Sequence, residues 1–269
     1  MITSLQNPLI KQLRKLQQSK YRRQENLCLL EGTNLVAMAS QGGLPLETIC
    51  CTPIWQERHP QLWSVLEQGT ARLEVVSDEV LRSLTTTVNP DGVIATLPRD
   101  QISPPPVAFP RLGVVLETLQ DPGNLGTIIR TAAAIPSDGL WLSGDSVDFD
   151  NPKVLRASAG FIFQVPMARY GDLPQRVKAY RQQGGQVIAT VPQGDLSYWE
   201  IDFQKHTLLL FGNEAAGLSQ DLLAQSDLQV TIPLAVGVES LNVAIAAALL
   251  LYEGKRQTWR SSQSSSSLK

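Results

Sequence analysis

Residues 111–134, RLGVVLETLQDPGNLGTIIRTAAA, decide how the rest of the chain is read. RLGVVLE is an apolar run of strand length. DPGNLG is turn chemistry, with one proline and two glycines, and a helix is expected over 124–134. A buried strand, a loop and a helix in succession are the repeating unit of a parallel sheet. The same rhythm continues through the strands GLWL, QVPM, QVIAT, TLLLFG and QVTIP, with helices expected over 152–158, 173–183, 219–225 and 240–253. In such sheets ligands gather at the carboxyl ends of the strands. The fold class expected is α/β, with a mostly parallel C-terminal sheet.

Upstream lies PRDQISPPPVAFP (98–110), whose five prolines exclude a central strand or helix interior. It reads as a linker over 99–110 between a domain at 1–98 and another at 111–257. The first is a small α/β domain: NLCLL, ETICC, LEVV and GVIATL read as strands, with helical segments near 32–40, 60–68 and 78–84. Asn7 and Pro8 mark a helix start, with Leu9, Leu13 and Leu16 on one face. The tail, 258–269, carries six serines in SSQSSSSLK and is expected to be disordered.

The formal net charge is −2 over 269 residues, which excludes a uniformly basic protein but not a local basic face. Residues 1–24 contain Lys11, Arg14, Lys15, Lys20, Arg22 and Arg23 and no acidic residue. These form either a solvated helix face or an arm that contacts phosphates. Three cysteines without a C-x-x-C pair and two histidines make a metal site unexpected. The odd cysteine count, and the lack of a signal peptide or an 18-residue apolar run, point to a cytoplasmic protein with no membrane span.

Two further strand ends carry unusual residues. In LLLFGNEAAGLS (208–219) a buried strand meets Gly212, Asn213, Glu214 and Gly217, glycines that let backbone approach a ligand. Leu218 stands where a P-loop needs lysine, and G-x-G-x-x-G is absent, so neither common nucleotide fingerprint applies. In VTIPLAVGVESLNVAIAAALLLYE (230–253) a glycine loop leads into Ser240, Leu241 and Asn242, then a helix without charge as far as Tyr252.

DPGNLGTIIRTA, FGNEAAGLS and IPLAVGVESLNVAIAAALLLYE, in that order, resemble the motifs of SpoU-type (TrmH-like) RNA 2′-O-ribose methyltransferases of the SPOUT class. The likeness is strong over roughly 111–254, and NPKVLRASAG (151–160) looks like the family's segment after the first motif. Glu117, where relatives commonly have aspartate, and Ala244, where many have serine, are mild departures. The N-terminal part, with SLQNPLIKQLRKL and LLEGTNLV, is similar to a ribosomal-protein-like RNA substrate-binding domain.

The resemblance implies a knotted SPOUT domain that uses S-adenosylmethionine, without a metal, to methylate a ribose 2′-hydroxyl in rRNA or tRNA. It implies catalytic roles for Asn124, Arg130, Glu214, Ser240 and Asn242. Cofactor contacts are expected from Leu210, Gly212, Asn213, Gly217, Ile232, Leu234, Leu241 and Asn242. RNA contacts are expected from Lys11, Arg14, Lys15, Arg22, Arg23, Lys153 and Arg156. A guanidinium clamps phosphate well and is a very poor base, so Arg130 is expected to position the ribose, with a role as base left open. Glu214 is expected to anchor Arg130 or Asn124. The alternatives are an RNA-binding protein without catalysis and a base methyltransferase. A homodimer is also expected, through the apolar helix from Ser240 to Tyr252 flanked by Ile128, Ile129 and Ala132, with Arg130 near the partner's cofactor site.

Overall fold

Alternating apolar runs and capped helices build the fold seen in the computed structural model, which describes every residue except Pro136 and 267–269, and residues 259–266 in backbone only. The chain divides into two compact units, 1–103 with 148–163, and 104–147 with 164–269.

The first unit begins with α1 (Pro8–Lys15) and α2 (Ser19–Glu25), followed by β1 (Leu27–Glu31), α3 (Thr33–Gln41), β2 (Thr48–Cys51) and α4 (Pro53–Arg58). α5 (Pro60–Gly69), β3 (Arg72–Val75), α6 (Asp78–Leu84) and β4 (Val93–Pro98) complete its N-terminal part. The Asn7 side chain accepts from the Leu9 amide and Pro8 occupies the first turn, the start signal read in the sequence. The sheet order is β1-β4-β2-β3; β4 is antiparallel to both neighbours and β2–β3 is parallel. Leu9, Ile10, Leu13 and Leu16 pack with Val80, Leu81 and Leu84 over Leu29, Cys50 and Ile94. Burial pushes the thiols of Cys28, Cys50 and Cys51 up to about 12, so all three act as core residues.

The second unit contains β5 (Leu112–Leu116), α7 (Pro122–Ala134) and β6 (Gly139–Ser143). α8 (Pro152–Ala157) then belongs to the first unit. The second unit resumes with β7 (Met167–Tyr170), α9 (Leu173–Gln182), β8 (Gln186–Thr190), β9 (Leu196–Ser197) and β10 (Thr207–Phe211). It ends with α10 (Gln220–Leu223), β11 (Leu228–Thr231) and α11 (Val243–Ser266). Its seven strands lie in the order β7-β6-β5-β10-β8-β11-β9, and every neighbouring pair is parallel. All strand ends of one sense therefore share one edge. Val115, Trp141, Val187, Leu208 and Leu210 pack beneath Leu173, Val177 and Tyr180 of α9, and α7 packs against α11.

The sequence reading does not anticipate α2, α4 or β9 and places a strand at QVPM where β7 lies at Met167–Tyr170, and the structure differs from it in four further places. Residues 148–163 join the N-terminal unit because charge pairs hold them there. Arg22 and Arg99 bond Asp150, Arg23 bonds Asp148 at 2.9 Å, and Arg156 bonds Glu31 at 2.6 Å. The region expected as a linker opens with a short 3-10 turn at Arg99–Gln101. The last helix starts at Val243, not Ser240. It runs to Ser266 across most of the segment expected to be disordered, since serine is only a mildly poor helix former; 267–269 lie outside the described residues. Finally, Ile128, Ile129 and Ala132 are buried within the single chain and offer no surface to a partner.

Candidate active site

β5 and β10 are neighbours in register, Leu116 opposite Phe211, so the loops that follow them leave the sheet side by side. The loop after β11 leaves at the same edge. The three motifs read in the sequence thus meet at one carboxyl end.

At the first loop, Asp121 accepts from the Asn124 amide at 2.8 Å and Pro122 takes the first helical position, which starts α7 and fixes Asn124 on its first turn. The Asn124 amide nitrogen donates to Glu214 Oε1 at 2.9 Å, and its oxygen accepts from Asn242 Nδ2 at 2.9 Å. Asn242 in turn accepts from the Ala244 amide at 2.9 Å and caps α11. One residue from each motif therefore joins a polar relay, Glu214–Asn124–Asn242.

The second loop is a tight hairpin. Asn213 and Gly217 exchange backbone bonds of 3.0 and 2.9 Å. A Cβ on Gly212 would lie 2.1 Å from the Gly217 carbonyl carbon, so this position admits only glycine. The Asn213 side chain accepts from the Ala215 and Ala216 amides and donates to the Thr118 carbonyl at 2.9 Å. Glu117 adds a second tie, accepting from the Ser219 amide at 2.7 Å.

Thr118 itself has φ +52°, a left-handed conformation that costs a β-branched residue about 1–3 kcal/mol. Its amide donates to Ser143 Oγ at 2.7 Å and its hydroxyl to Asp145 Oδ2 at 2.8 Å. The hydroxyls of Ser143 and Thr118 hold the Asp145 carboxyl below its usual range. Sequence reasoning missed Thr118, Asp145 and Asp121. Only Asp121 carried a signal, the Asp-Pro start of a helix.

The cofactor residues fall into two groups. Gly212, Asn213 and Gly217 form the hairpin, while Ile232 is half-buried and Leu234 and Leu241 are exposed in the loop 232–242. Within that loop the Val238 amide to Ala235 carbonyl is the one backbone bond among the described residues, so most of its backbone groups are open to a ligand. Exposed apolar side chains beside open amides fit the flat apolar base and polar edges of an adenosyl group. Leu210 is fully buried in β10 and can contribute backbone only. Ser240 is exposed and makes no hydrogen bond among the described residues, so the relay does not include it. Arg130 is exposed on α7, six residues beyond Asn124 and so about 9 Å along the axis. Among the described residues it has no hydrogen-bond or ionic partner. Glu214 holds Asn124 and not Arg130.

Of the expected RNA contacts, Lys11, Arg14, Lys15, Arg23 and Lys153 are exposed. Arg22 is not: at 2% exposure it bonds the Leu16 and Gln17 carbonyls and pairs with Asp150, so it holds the fold and cannot reach phosphate. Arg156 is likewise drawn to Glu31 and Thr86. Both are among the RNA contacts that the sequence suggests, and the structure gives them ion-pair partners within the fold instead. Among the described residues no helix is long and apolar enough to cross a membrane, and no group of three or more His, Cys, Asp or Glu could hold a metal ion.

The model of the SpoU rRNA methylase family matches residues 111–252, more than half the chain, and the chain belongs to that family. A second model, of the MRM3-like substrate-binding domain, matches residues 7–95. The chain is 52% identical to an uncharacterized tRNA/rRNA methyltransferase of Synechocystis, over 97% of this chain and 95% of the relative. It is 34% identical to the 23S rRNA (guanosine(2553)-2′-O)-methyltransferase RlmP of Bacillus subtilis, covering 93% and 97% of the two chains. Among solved structures, the AdoMet-bound rRNA methyltransferase of Sinorhizobium meliloti superposes with a TM-score of 0.81 at 33% identity, over 95% and 97% of the chains.

Proposed function

We propose that this protein is a cytoplasmic methyltransferase that uses S-adenosylmethionine to methylate a ribose 2′-hydroxyl of ribosomal RNA. The observation that carries the reading is the Glu214–Asn124–Asn242 relay, which joins all three motifs at the edge where the hairpin and the open loop lie. The family match and the 23S rRNA activity of relatives matched over most of their length support rRNA as the substrate.

S-adenosylmethionine supplies an electrophilic methyl on a sulfonium. The task left to the protein is alignment and care of one proton. Gly212, Gly217, Leu234 and Leu241 hold the nucleoside against the sheet edge. Asn124, its amide oriented by Glu214 and Asn242, presents a fixed dipole to the incoming ribose. Arg130 clamps the phosphate next to that ribose, as a fork of donors suits a phosphate. The test is transfer of labelled methyl to unmodified large-subunit rRNA, followed by digestion to nucleosides. A 2′-O-methyl nucleoside is expected; a methylated base, or no incorporation, would refute the reading.

Phosphate contact by the N-terminal unit is assigned to Lys11, Arg14 and Lys15, which face solvent opposite the buried Leu9, Ile10 and Leu13. Reversing these three charges is expected to weaken RNA binding and flatten its dependence on salt, since each phosphate contact releases counterions. Cofactor affinity should stay the same. Binding isotherms at several salt concentrations measure both.

The protein is also proposed to act as a homodimer through its catalytic unit. α11 leaves Ile245, Leu249 and Tyr252 37% to 53% exposed, a stripe at spacings of four and three. Such a row on one helix face suits an isologous two-fold contact. Arg130, with no hydrogen-bond or ionic partner among the described residues, would then serve the other subunit's site. Light scattering at micromolar concentration should give the dimer mass, and a monomer mass would rule the contact out.

A further inference from the structure

Resting on that reading, we infer that Asp145, which no motif includes, is a positioning residue for methyl transfer: by clamping Thr118 in its left-handed conformation it seats Asn213 and so fixes Glu214.

The chain of contacts is continuous. Asp145 Oδ2 accepts the Thr118 hydroxyl at 2.8 Å, and its other oxygen accepts the Ser143 hydroxyl at 2.5 Å. Ser143 accepts the Thr118 amide at 2.7 Å and lies 2.8 Å from the Ser146 hydroxyl, which accepts the Leu119 amide at 3.1 Å. Gln120 closes the group by donating to the Asp145 carbonyl. The acceptors thus hold both polar ends of Thr118, amide and hydroxyl, at a φ of +52° that threonine seldom adopts. In this conformation the Thr118 carbonyl receives the Asn213 amide nitrogen at 2.9 Å. Asn213 Oδ1 then takes the Ala215 and Ala216 amides, closing a turn around Glu214, the anchor of Asn124, which lies between Asn213 and Ala215. Asp145 does not touch the relay, and nothing else in the reaction requires a carboxylate there. Its charge is what suits it to the clamp, because two hydroxyl donors converge on it.

The clamp is needed only because residue 118 carries a Cβ, since glycine reaches the same conformation freely. This gives the test. Methyl transfer and amide hydrogen exchange are measured for the full-length wild type, Asp145→Ala, the milder Asp145→Asn, Thr118→Gly, and Thr118→Gly with Asp145→Ala. Asp145→Ala is expected to quicken exchange at Ala215 and Ala216 and to lower kcat about tenfold, with RNA KM unchanged. Asp145→Asn, which keeps one acceptor, should fall between. On the Thr118→Gly background the same loss should shrink to less than about twofold, the coupling of a pair that acts together. Unchanged exchange, or equal losses in both backgrounds, would overturn the inference. If the wild type transfers no methyl to RNA, the proposed function fails instead. The exchange rates, which need no activity, still decide the clamp.

Discussion

Arg130→Ala is expected to lower methyl transfer on the order of 10²- to 10³-fold while leaving cofactor affinity untouched. The side chain makes no hydrogen bond or ion pair to the hairpin or to the loop 232–242 among the described residues, and it is not one of the groups proposed to hold the nucleoside. In its own chain it bonds to nothing among the described residues, so its loss leaves no buried group unpaired and should not change stability. The effect should fall on kcat/KM for RNA. Lysine at 130 should recover little, because a point charge cannot grip phosphate through two parallel bonds. Calorimetry with S-adenosylmethionine and single-turnover methyl transfer separate the two properties. A variant with near-normal turnover would return Arg130 to the ordinary surface. A sharper form mixes subunits: Arg130→Ala and a hairpin variant, each inactive, should regain activity when co-assembled if the arginine serves the partner's site.

Gly212→Ala is expected to abolish cofactor binding outright. The added methyl would sit 2.1 to 2.3 Å from the Gly217 carbonyl group and the Leu218 amide. These are backbone atoms tied to Asn213, so they cannot swing away as a flexible side chain would. Relief requires opening the Asn213–Gly217 pair, at a cost on the order of 3 kcal/mol and with Glu214 displaced. Calorimetry should show no binding, with a lowered melting temperature. Gly217→Ala makes the contrast. Its Cβ would meet no atom within 4 Å, but its φ of +72° disfavours a side chain, so a milder loss is expected.

Much of this architecture was legible because its signals are local. Buried parallel strands read as apolar runs, and all three motif strands appear where those runs lie. Asn124, Glu214 and Asn242 were legible for a related reason: polar residues at strand ends and helix mouths stand out against apolar neighbours. The short α2 and α4 left too few residues for a periodicity to show. Arg22 was misread because a charge normally stays in solvent, and its partner Asp150 lies 128 residues further on. Asp145 escaped notice for the same reason. Its partners Thr118 and Ser143 come from different strand ends, and only pairing of β5 with β6 brings them together.

The buried Arg22–Asp150 pair has a consequence for the order of events at the ribosome. The N-terminal unit is synthesised first, yet its core includes a cation whose counter-ion arrives only with residue 150. Until then the guanidinium must either stay hydrated, holding α2 off the sheet, or be desolvated with only the Leu16 and Gln17 carbonyls to meet it and its charge unpaired, a penalty of about 3–5 kcal/mol. Early folding therefore stops short of closure, and the unit seals only after β5, α7 and β6 have left the exit tunnel. Maturation of the substrate-binding half is in this way timed by translation of the catalytic half.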